Sequence, residues 1–110
     1  MTDREIIEYA ALATGEYHGE WSKKSGSLRI RSSGRWQEWN PLTDDGDAMR
    51  LAVRLGLRVG TDGQSLYPHI ECWRAHYDTP RVFEPCSEDP YAATRRAIVR
   101  AAAEIGKNIG

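Results

Sequence analysis

The feature that most restricts this chain lies in its last third. Asp89-Pro90 opens a run that reaches Lys107 without another proline and without a glycine before Gly106. A proline at the first helical position loses nothing, because its missing N–H has no partner there, and the preceding aspartate can accept from the amides that follow. Six alanines between Ala92 and Ala103 favour helix and permit close approach to a sheet. The spacing predicts a helix over 90–107. Tyr91, Thr94, Ile98, Ala101 and Ile105 fall on one face, and Arg96, Arg100, Ala103 and Lys107 on another.

Two more helices are marked by their ends. Thr2 with Glu5 three positions later forms a capping-box pattern, Ile6, Ile7, Ala10 and Ala13 give an apolar stripe, and Gly15 can stop the helix in the left-handed region; this predicts a helix over 2–14. Asn40-Pro41 forces extended backbone. Thr43 then reads as the cap of a helix over 44–55, with Asp44, Asp45 and Asp47 at its positive end and Ala48, Leu51, Ala52 and Leu55 buried; Gly56 ends it.

Between the helices the period changes to two. Leu28 and Ile30 alternate with Arg29 and Arg31, Ser33-Gly34 reads as a turn, and Trp36–Trp39 as a second strand. Leu57 and Val59 begin a third strand. Asp62-Gly63 signals a two-residue hairpin turn, Leu66–Tyr77 a long strand with Pro68 near its start, and Val82-Phe83 a short return strand after Asp78-Thr79-Pro80. The order α-β-β-α-β-β-β-α lacks βαβ alternation. It predicts an α+β fold with one small sheet of about four or five mostly antiparallel strands packed with three helices.

The chain has 110 residues, the size of one domain. Hydrophobic residues at 40% and charged residues at 28% give a globular balance rather than a disordered one. Fifteen basic against sixteen acidic residues leave no global field to attract nucleic acid or an anionic membrane, although a local basic face remains open. An acidic N-terminus and the absence of any run near twenty apolar residues argue against a signal peptide or a membrane span. The expected location is the cytoplasm. Cys72 and Cys86 have no metal-like spacing and are expected as reduced thiols, bridged only if their strands are neighbours.

The stretch Trp39-Asn40-Pro41-Leu42-Thr43-Asp44-Asp45-Gly46-Asp47-Ala48-Met49-Arg50-Leu51-Ala52-Val53 resembles the WNPLTDDGDALRLAV signature of the phage ABA sandwich domain family. Asp89-Pro90-Tyr91-Ala92-Ala93-Thr94-Arg95-Arg96-Ala97-Ile98-Val99-Arg100-Ala101-Ala102 is similar to the same family's DPYAATRRAIVRAA ending, and the opening helix fits its short N-terminal helix. The resemblance implies a small phage or prophage protein, residues 1–110 forming one such domain, with a sheet packed among helices in the host bacterial cytoplasm. It implies no activity, and it transfers no catalytic or ligand residues.

Four groups of side chains could carry chemistry. Asp44, Asp45 and Asp47 invite a hard cation, but the spacing is not that of an EF-hand; the plainer reading is acids complementing a helix dipole, with one aspartate holding loop amides around Trp39–Pro41. His69 and Glu71 share a strand face, with His76 on the other, which argues against one site from all three. Arg95, Arg96, Arg100 and Lys107, with Arg50 and Arg54, could form a basic face or a salt-bridged helix surface. Trp21, Trp36, Trp39 and Trp73 belong to the core by default, but one or two could form an exposed patch.

No catalytic, cofactor or metal residues are assigned. The candidate partner-binding residues are Trp36, Trp39, Arg96 and Arg100. The leading expectation is a non-enzymatic module that binds a host or phage protein, with a homodimer open. The alternatives are a metal-dependent hydrolase using Asp44, Asp45 and Asp47, and a nucleic-acid binder acting through the C-terminal helix, which the near-neutral charge disfavours.

Overall fold

Helix ends are set by the side chains that the sequence offers for capping. In the computed structural model, which describes residues 1–15, 17, 19–32, 34–62, 66–75 and 79–109, the chain runs α1 (Asp3–Thr14), β1 (Gly19–Ser22), β2 (Ser27–Ser32), β3 (Arg35–Trp39), α2 (Asp45–Leu55), β4 (Leu57–Asp62), β5 (His69–Arg74), β6 (Val82–Pro85) and α3 (Pro90–Lys107). At α1 the capping box closes: the Glu5 amide donates to Thr2 Oγ1 at 3.1 Å, and the Thr2 amide to Glu5 Oε1 at 3.1 Å. At α3 the amides of Tyr91 and Ala92 donate to Asp89 Oδ1 at 3.0 and 3.2 Å. The α2 cap is Asp44 rather than Thr43. Its Oδ1 accepts from the Asp47 amide at 3.0 Å, a stronger acceptor than a hydroxyl and placed one residue closer to the first turn.

The class is the expected α+β, but the strands form two sheets, not one. Strands β1-β2-β3 make one antiparallel sheet and β4-β5-β6 the other. The additional strand, Gly19–Ser22, has no alternation to announce it; it is held by pairing Trp21 opposite Leu28. β5 is shorter than the expected Leu66–Tyr77 run. Leu66, Tyr67 and Pro68 precede it in the open, and proline there has no amide to donate to a ladder. Since Asp62 pairs with His69, six residues join β4 to β5, more than the two-residue turn expected at Asp62-Gly63. Ser33, Gly63, His76, Tyr77 and Asp78 lie outside the described residues.

Helix α3 is the hub. It buries Ala93, Ala97, Ile98, Val99, Ala101, Ala102, Ala103, Ile105 and Gly106, and packs on α1, on α2 and on the inner face of β4-β5-β6. Its burial runs nearly all round, so Ala103, expected with the arginines, is also buried. The buried side chains of both sheets and all three helices form one cluster, in which Ile7, Ile30, Leu51, Ile70 and Val99 are fully enclosed. Each such aliphatic side chain contributes roughly 1.5–3 kcal/mol. Among the described residues no helix is long and apolar enough to cross a membrane.

Cys72 and Cys86 are both free and buried. Cys72 pairs with Val82, whereas the Cys86 amide donates to the Pro68 carbonyl at 3.0 Å, four residues earlier along the same chain. Four strand residues span about 13 Å, too far for a disulfide. Burial pushes the Cys72 thiol up to about 12, so it packs as a small apolar side chain rather than acting as a nucleophile.

Candidate binding surface

The three aspartates at the start of α2 point in different directions. Asp44 caps the helix. Asp47 Oδ2 accepts from the Asn40 amide at 3.0 Å and its Oδ1 from Arg50 Nη2 at 2.9 Å, so it fixes the turn after β3. Asp45 Oδ1 accepts from Arg95 Nη1 at 2.6 Å, while Arg95 Nε donates to the Leu42 carbonyl at 2.8 Å. Each carboxylate thus holds a protein group, and among the described residues no three His, Cys, Asp or Glu side chains gather as metal ligands would.

The arginines of α3 are likewise engaged. Glu84, buried on β6, takes Arg100 Nη1 at 3.0 Å and Arg96 Nε at 3.4 Å; Arg96 also reaches Asp3 at 3.0 Å, and Arg100 the Phe83 carbonyl at 3.1 Å. A buried carboxylate is tolerated only when paired and hydrogen-bonded, and two guanidinium groups meet that need here. Arg96 and Arg100 therefore clamp α3 to β6 and α1. They form a salt-bridged helix face rather than a free basic stripe, with both side chains still partly exposed. Arg54 lies over the Tyr17 ring at 5.4 Å.

The tryptophans divide. Trp39 is 3% exposed and belongs to the core, which corrects its assignment to a binding patch. Trp36 is 47% exposed on the outer face of β1-β2-β3, opposite Arg31 and 5.6 Å beneath the Arg29 guanidinium. Trp73 lies 4.3 Å beneath Arg81 on the outer face of β5.

Beside it, His69 and Glu71 do share a face. His69 Nε2 is 3.0 Å from Glu71 Oε1, and His69 Nδ1 is 2.9 Å from the Tyr67 carbonyl. Arg81 Nη1 donates to Glu71 Oε2 at 3.2 Å, and the Phe83 ring centre is 5.9 Å from the imidazole. Both ring nitrogens face acceptors, an arrangement that only the imidazolium satisfies. The Tyr67 carbonyl first and Glu71 second therefore raise His69 above its ordinary 6.5. A group raised on folding stabilises the fold below its unfolded value, so this contribution is complete under pH 6.5 and fades as pH climbs through the raised value. Glu71→Gln should lower the His69 midpoint in an NMR titration without returning it to the unfolded value, because the carbonyl remains. An unchanged midpoint would show that Glu71 does not act on the ring.

The surface that the sequence did not reveal lies at the start of α3. A cleft of about 480 Å³ has Ile70 and Cys86 in its floor and Thr61, Pro68, Pro90 and Tyr91 around it. Tyr91, which shares a helix face with Ile98 and Ile105 by spacing, is 74% exposed at the mouth of this cleft. Tyr67 is 84% and Leu66 94% exposed next to Pro68. On the other side of the 85–89 segment a second groove of about 530 Å³ is lined by Pro85, Ala92 and Ala93 together with Glu84, Glu88, Asp89 and Arg96, of which Glu84, Asp89 and Arg96 are already engaged within the fold. Ser87 lines both. At φ +43° it is the one non-glycine residue in the left-handed region among the described residues, and it turns the chain from β6 into α3 as a ridge between the grooves. Pro68 and Pro90 were the available signals: each stands immediately before or at the start of an element and next to an aromatic residue.

The fold and this surface define a small α+β protein of two three-stranded antiparallel sheets joined by a long helix, with an aromatic-rimmed cleft. The chain matches no protein-family model, no curated protein and no solved structure.

Proposed function

We propose that the protein is a phage or prophage accessory protein that acts without catalysis, as a protein-binding module in the cytoplasm of a bacterial host. The observation that carries this reading is the cleft floored by Ile70 and Cys86, with exposed Tyr91 and Pro68 lining it and exposed Leu66 and Tyr67 immediately preceding Pro68. Contiguous exposed apolar surface with a polar surround marks interaction sites, and tyrosine is enriched where a few residues dominate binding. The cleft has the volume of a site that takes one or two partner side chains. The phage origin rests on the two sequence motifs. Against the hydrolase alternative stands the engagement of Asp44, Asp45 and Asp47 by their own neighbours. Against the nucleic-acid alternative stands the pairing of Arg95, Arg96 and Arg100.

The reading is tested by retaining partners from host lysate on immobilised protein, wild type against Tyr67→Ala/Tyr91→Ala. Both tyrosines are exposed, so the variant should keep the wild-type melting temperature. A discrete partner held by the wild type and lost by the variant is the expected result. A partner held equally by both, or none at all, overturns it.

A further inference from the structure

Strand β4 is an edge. Its residues pair with β5 in unbroken register from Leu57 opposite Arg74 to Asp62 opposite His69, and no strand lies on its other side among the described residues. Edges are usually blunted by proline, a bulge or repelling charge, because a bare edge invites another strand. β4 has neither proline nor bulge. Its charges are Arg58 and Asp62, of opposite sign, on the same outer face, one on either side of Gly60. Arg58 forms no salt bridge within the chain among the described residues, and Asp62 has only the His69 ring across the ladder, whose pKa its charge helps to raise.

That placement is self-complementary. When two copies of β4 meet antiparallel about a two-fold axis at Gly60, Arg58 of each comes opposite Asp62 of the other. A one-residue slip would turn the side chains to the wrong face, and a two-residue slip would set Arg58 opposite Gly60 and lose both pairs. Only one register therefore satisfies the charges. Gly60 also lies beneath the Trp73 ring, whose nearest atoms are 3.7 and 3.8 Å from where a Cβ would stand. The two-fold axis brings the Trp73 rings of both copies to the middle of the seam, between the two ion pairs. On the inner face, exposed Val59 meets Thr61 of the second copy.

We propose that β4 is the seam of a symmetric homodimer, in which the β4-β5-β6 sheets of two copies join as one six-stranded sheet. Main-chain pairing supplies the attraction and the two Arg58–Asp62 pairs set the register. The test is sedimentation equilibrium at protein concentrations up to roughly 100 µM, where a small interface is populated. Wild type should dimerise. Arg58→Asp and Asp62→Arg each set like charges opposite one another twice, and each should weaken the dimer about tenfold or more. An equimolar mixture of those two variants should recover association as a heterodimer, and the double variant Arg58→Asp/Asp62→Arg should dimerise like wild type. That recovery separates lost pairing from lost folding. A monomeric wild type, a dimer indifferent to either reversal, or a mixture that stays monomeric overturns the proposal.

Discussion

Gly106→Ala destabilises the protein by roughly 3 kcal/mol, lowering its melting temperature by something like 10–20 °C. The expectation runs against helix propensity, by which alanine is better than glycine inside a helix by about 1 kcal/mol. Where α3 crosses α1, a Cβ on Gly106 would stand 1.8 Å from the Tyr9 carbonyl oxygen and 2.7 Å from its carbon. Both are backbone atoms inside a helix, so no rotamer change relieves the clash and the two helices must part. Ala10, Ala102 and Ala103, packed to native density around the crossing, then lose their contacts together. The glycine hydrogen that occupies the Cβ direction points at that carbonyl, a weak contact which only glycine allows at this distance. Gly46→Ala is the control. Its Cβ meets the movable Arg50 guanidinium and the capping Asp44 Oδ1 at 3.1 Å, each of which need shift only a few tenths of an ångström, so the variant should stay within about 1 kcal/mol of wild type. Urea unfolding of both variants decides the matter. Equal stabilities would mean that α1 and α3 do not touch through their backbones.

That crossing also shows how far the sequence could be read. Helix boundaries were legible because caps are local: Thr2 with Glu5, Gly15, Gly56 and Asp89-Pro90 each act on amides within a few residues. The one misplaced cap, Thr43 for Asp44, was a choice between adjacent competent acceptors, decided by the reach of the carboxylate to the Asp47 amide. Gly106 lies inside the helix read over 90–107, and its reason for being glycine lies on α1, 97 positions earlier. Partition of the strands into two sheets was illegible for the same reason. Alternation reports that a strand has a buried face, not which neighbour pairs with it. The partners of the candidate side chains were less legible than the helix ends. Arg96 and Arg100 could be read as a basic face or as a salt-bridged surface, and the choice was illegible because their partner, Glu84, sits on a strand and not on the helix. Tyr91 shares its helical spacing with Ile98 and Ile105 but stands exposed at the cleft lined by Thr61 and Ile70.

Trp39→Ala should cost roughly 3–5 kcal/mol and Trp36→Ala close to nothing, although the two residues are three apart on one short strand. Residues at odd separation on a strand face opposite sides. Trp36 looks outward with Arg29 above it, and its loss removes an exposed cation–π contact worth about 0.5–1 kcal/mol at most. Trp39 looks inward. It pairs with Leu28 across the ladder, meets the edge of the Tyr17 ring at a centroid distance of 5.3 Å and an angle of 72°, and is continuous with the buried cluster. It is also the last residue before the Asn40-Pro41 turn that Asp47 anchors, so it fastens the β1-β2-β3 sheet to the start of α2. A Trp-sized void there has polar loop on one side and core on the other, and cannot collapse without moving both. Against a total stability of roughly 5–15 kcal/mol, that loss brings the chain near its unfolding threshold. Trp39→Phe, which keeps a ring against Tyr17, should recover part of it. Chemical denaturation followed by far-ultraviolet circular dichroism separates the three. Should Trp39→Ala fall within about 1 kcal/mol of Trp36→Ala, Trp39 is not what joins this sheet to the core, and its place as a surface residue for a partner would have to be reopened.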